Sequence, residues 1–76
     1  MPGYITESLG DKLDSLKVSV QVLVQHGQLP EGATTFQEAA RSLYTEALAI
    51  HRHYSPLNAE QAADINWVYT ELQPHQ

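Results

Sequence analysis

Phe36-Gln37-Glu38-Ala39-Ala40-Arg41-Ser42-Leu43-Tyr44-Thr45-Glu46-Ala47-Leu48-Ala49-Ile50 decides the fold of this chain. Phe36, Ala40, Leu43, Ala47, Ile50 and then Tyr54 recur at alternating steps of four and three. That spacing holds side chains on one face of an α-helix. Thr35 stands where a helix cap belongs, and Glu38 completes a capping box. Ser55-Pro56 ends the pattern, because a residue before proline avoids the helical region. The spacing predicts a helix over 35–54.

The same step appears on both sides. Upstream it runs through Leu9, Leu13, Leu16, Val20 and Leu23. Ser8 and Asp11 provide its start, and Gly27 with Pro30 its end. Downstream it runs through Ala62, Ile65, Tyr69 and Leu72, behind an Asn58 cap with Gln61 as reciprocal side chain. Leu57 is placed to staple onto Ala62. The expected helices are 8–26, 35–54 and 58–73, with short arms at 1–7 and 74–76. The expected core includes Leu16, Leu43, Ala47, Ile65 and Tyr69. The fold class is all-α: one domain, a small three-helix bundle with antiparallel neighbouring helices.

One segment reads two ways. Val18, Val20, Val22 and Val24 alternate along the chain, and valine favours strands. A strand at 16–24 has no second strand to pair with, so it would have to pair with another copy of itself. The 4,3 step and the Gly27 stop favour the helix.

Seventy-six residues bury a thin core, worth no more than ~3–5 kcal/mol without a staple or partner. There are no cysteines, which excludes disulfides and thiolate metal sites and fits a reducing compartment. The net charge of −5 leaves four Lys and Arg, too few for a nucleic-acid footprint or an anionic membrane surface. No apolar run approaches a membrane span. Met1-Pro2-Gly3-Tyr4 lacks the basic-then-apolar order of a signal peptide, so the expected location is the cytoplasm. Leu57 to Ile65 resembles the first helix of a helix-turn-helix. Trp67 then stands where its turn wants a small residue, and too little chain follows for a recognition helix.

Chemistry is weakly signalled. His51 and His53 are two apart, whereas a helical metal pair needs i and i+4; His26 and His75 stand apart from them. The nine carboxylates are dispersed, and the glycines match no phosphate-binding loop. Ser42 and His51 make no more of a nucleophile–base pair than any helical protein offers. The expectation is no enzyme, no cofactor and no metal.

Residues off the core stripes carry a different signal. Val18 and Val22 project roughly opposite Leu16 and Val20, and Trp67 points away from Ile65. Tyr44 and Leu48 flank the second helix's core face. Val18, Val22, Trp67, Tyr44 and Leu48 are therefore the candidate protein-interaction residues. The expected function is a non-catalytic interaction module, an adaptor or small regulator, whose partner is another protein or a second copy in a homodimer. The alternatives are a small acidic inhibitor of phage or toxin-system type, and, in another class, a small enzyme or metal sensor using the histidines.

From Phe36 onward the chain also resembles tetratricopeptide-type repeats of the kinesin light chain variety. The resemblance rests on Phe36 to Ala40, Leu43 to Ile50, the Pro56 linker, and Ala62 to Tyr69, about half the chain. It implies that Ala40, Tyr44 and Ala47 are the small–large–small positions at which paired helices nest. It also implies a protein-binding scaffold.

Overall fold

The computed structural model describes residues 9–76. The described chain is three helices, α1 Leu9–His26, α2 Phe36–His53 and α3 Ala59–Leu72, closed by a 3-10 turn at Gln73–His75. It contains no strand. The expected Ser8 cap and the arm at 1–7 lie outside the described residues.

Helix α1 settles the valine segment. Leu13, Leu16, Val20 and Leu23 are all buried along one face. Burial of that face outweighs the modest strand preference of valine, which depends on context. Gly27 ends the helix at φ 67°, with its N–H donating to the Leu23 carbonyl at 2.9 Å. That positive φ carries little steric penalty for glycine, as the left-handed cap requires. The connection then turns at Pro30–Ala33, where the Ala33 N–H donates to the Pro30 carbonyl and Gly32 takes φ 92°.

Thr35 caps α2, its hydroxyl accepting from the Glu38 N–H at 3.0 Å. The reciprocal half of the expected box differs. The Glu38 carboxylate reaches one residue further out, accepting from the Thr34 N–H and the Thr34 hydroxyl. The Asn58–Gln61 box at α3 is complete, with both reciprocal bonds formed.

Leu16, Leu43, Ala47 and Ile65 are buried as expected. Tyr69 is only half-buried, and Val68 joins Ile65 and Leu72 in the core instead. Val68 thus takes the core place between Ile65 and Leu72, leaving the Tyr69 hydroxyl at the rim where it finds a polar partner. No buried polar or charged residue lies in the described core.

The helices run up, down, up. Lys12 lies beside Ala49 to Tyr54, and Ser19 beside Ser42 to Glu46, so α1 and α2 are antiparallel. Phe36 meets His75 while Tyr44 meets Tyr69, so α2 and α3 are antiparallel too. The short arm at 74–76 packs back on the bundle. The His75 ring stacks edge-on to Phe36 at 4.8 Å, and Gln76 Nε2 donates to the carbonyls of Ala40 and Leu72. Pro74 sits in the first turn of the 3-10 helix, where a missing N–H costs little.

Candidate interaction surface

Each pair of helices meets along a seam whose depth depends on the rows flanking the core stripe. On α1, Lys12, Ser15, Ser19 and Val22 step by three and four on the side turned to α2. On α2, Ser42, Glu46 and Ala49 do the same on the side turned to α1. Most of these side chains are too small to bridge two helices. The result is a groove: a hollow at Lys12, Ala49 and Ile50 shares walls with the next at Ser19 and Glu46, and so on to Pro30. Lys12 to Val22 spans about 15 Å, roughly three helical turns.

The two ends of the groove differ. At the α1–α2 connection, Val18, Val22, Leu29 and Pro30 form an apolar lip. Val18 is 58% exposed and Leu29 37% exposed. Next to that lip, Glu31, Glu38 and Glu46 wall one hollow that has no lysine or arginine in its lining. At the far end the walls include Lys12 and His53.

The α2–α3 seam is closed by rings. Tyr44 and Tyr69 lie 5.2 Å apart between centroids, and the Tyr69 hydroxyl lies 3.3 Å from His51 Nδ1. Burial raises the Tyr69 pKa above its ordinary value of 10.0, helped by Tyr44 and opposed by Arg52. Leu48, one turn beyond Tyr44, is exposed on that side. The α1–α3 seam carries the Lys17–Asp64 ion pair, Nζ donating to Oδ1 at 3.1 Å. Trp67 is about 60° around α3 from Asp64 and packs half-buried against the core.

The five candidate residues therefore occupy three places. Val18 and Val22 share the apolar lip. Tyr44 and Leu48 belong to the α2–α3 side, and Trp67 to the α1–α3 side. Val18 and Val22 are brought together with Leu29 and Pro30 of the α1–α2 connection. The signal available for Leu29 was an apolar residue placed between the Gly27 stop and Pro30.

No family model matches the chain, and no curated protein or solved structure matches it either.

The histidine rings are spread through the fold. His51 faces Tyr69, His53 meets Tyr54 edge-on at 4.7 Å, and His75 meets Phe36 edge-on. Among the described residues, no three of His, Asp and Glu gather around a point where a metal ion would sit. No described helix is long and apolar enough to cross a membrane.

Proposed function

We propose that this chain is a non-catalytic protein-interaction module, an adaptor or small regulator, that docks another protein along the α1–α2 seam. The observation that carries this reading is the groove itself: an apolar lip at Val18, Val22 and Leu29 continuing into a trough whose lining includes the small side chains Ser15, Ser19 and Ala49 beside Lys12 and Glu46. Apolar surface left at the edge of such a trough is removed from water when a partner covers it. The resemblance of residues 36–72 to tetratricopeptide-type repeats implies the same class of function. The reading keeps Val18 and Val22 and leaves out Tyr44, Leu48 and Trp67, which stand on other sides of the bundle.

The test is affinity capture with the parent chain, Val18→Glu/Leu29→Glu and Trp67→Ala, with circular dichroism confirming that each is folded. A specific partner held by the parent and Trp67→Ala but lost by the lip variant supports the reading. A partner held equally by the lip variant and lost with Trp67→Ala moves the surface to the α1–α3 side and overturns it.

A further inference from the structure

Resting on that reading, we infer that the occupant of the α1–α2 seam is a basic amphipathic helix, seated as the fourth helix of a bundle. Shape comes first. A trough between two antiparallel helices, about three turns long, matches the apolar stripe of one helix, and adding it produces four-helix packing. The small residues Ser15, Ser19 and Ala49 along the floor and walls let that helix approach closely. The lip at Val18 and Leu29 supplies apolar contact beyond the trough.

Charge selects among such helices. Glu31, Glu38 and Glu46 surround the hollow beside the lip, with no lysine or arginine in its wall. Lysines or arginines flanking the stripe of the incoming helix meet these carboxylates at the rim, where complementary charge sets partner choice and association rate. The same argument disfavours a second copy of this chain. Its net charge is −5, so self-docking brings like charge to an acidic hollow.

The experiment uses synthetic peptides of about 18 residues, longer than the seam so that frayed ends fall outside it. One carries leucines at helical spacing flanked by lysines, a second carries glutamates in place of the lysines, and a third scrambles the stripe. Binding is followed by fluorescence anisotropy and by amide chemical shifts of the nitrogen-15-labelled chain. The lysine-flanked peptide is expected to bind and to shift amides of Ser15, Ser19, Glu46 and Ala49, with the glutamate-flanked peptide weaker by roughly tenfold or more. Glu31→Lys/Glu46→Lys, both at exposed positions, is expected to reverse that preference while the fold is kept. Equal binding of the two charged peptides at the seam overturns the basic assignment and leaves the seam as docking site. Shifts confined to the Tyr69 or Trp67 side, or no shift with any peptide, overturn both the occupant and the groove. Binding of the scrambled peptide as tight as the striped one shows charge adsorption alone and overturns the helical occupant.

Discussion

The α2–α3 and α1–α2 seams are built from neighbouring rows of one helix, yet one is sealed and the other is open. On the α3 side of α2, Tyr44 and Phe36 reach across to Tyr69 and His75, and Gln76 ties the tail to the Ala40 carbonyl. On the α1 side, Ser42, Glu46 and Ala49 face Ser15 and Ser19. Both seams rest on the same buried residues, Leu43, Ala47 and Ile50. The core stripe makes the bundle. The size of the flanking side chains decides whether a seam is filled from within or left for something else.

The largest expected effect removes the layer common to both seams. Leu43 is 4% exposed, so Leu43→Ala should cost roughly 2–5 kcal/mol. Against the few kcal/mol available to a domain of this size, most of the chain should be unfolded in a urea titration. A variant that melts with the parent would place the core stripe elsewhere.

A smaller effect separates the seams. Ala40 is fully buried, and Ala40→Leu should overpack it at a cost of about 1–3 kcal/mol. Ala49 is exposed at the open trough, and Ala49→Leu should change stability by no more than about 0.5 kcal/mol. Equal losses in thermal melts would mean that the α1–α2 seam is as tightly filled as its neighbour.

Most of the bundle is legible in the sequence. Three stripes, the Thr35 and Asn58 caps and the Gly27 stop are local signals, and each acts within a turn or two of its own residue. What escaped was set by contacts between helices. Tyr69 and Val68 both fit a helical stripe, and only the facing rows of α1 and α2 choose between them. Trp67 reads as an outward residue, but it packs half-buried against the core. The groove was harder still, since it arises from small residues on two helices that meet only after folding. The valine alternation competes with the 4,3 step and loses, because strand preference carries little weight once the helical face of Leu13, Leu16, Val20 and Leu23 is buried.

The pH dependence of the closed seam is the subtlest difference. The pKa of Tyr69 is raised above 10.0, chiefly by burial. Its contribution is fully present below pH 10, since the phenol is neutral in both states. As pH rises past that value, the unfolded chain gives up its proton first, and the contribution is lost on the way to the higher folded pKa. Stability should therefore fall more steeply above about pH 10 in the parent than in Tyr69→Phe, when unfolding is followed by circular dichroism. Parallel profiles would remove the electrostatic distinction from this seam.

The central claim is that the α1–α2 seam is space left for a partner. Ser19→Leu/Ser42→Leu tests it most directly, because it fills the trough with the protein's own side chains. The measurement is binding of the lysine-flanked amphipathic peptide, with a thermal melt on the same sample. The account predicts a melting temperature equal to or above that of the parent and binding reduced roughly tenfold or more. Binding unchanged in a folded double variant, or a bundle that no longer folds, would contradict it.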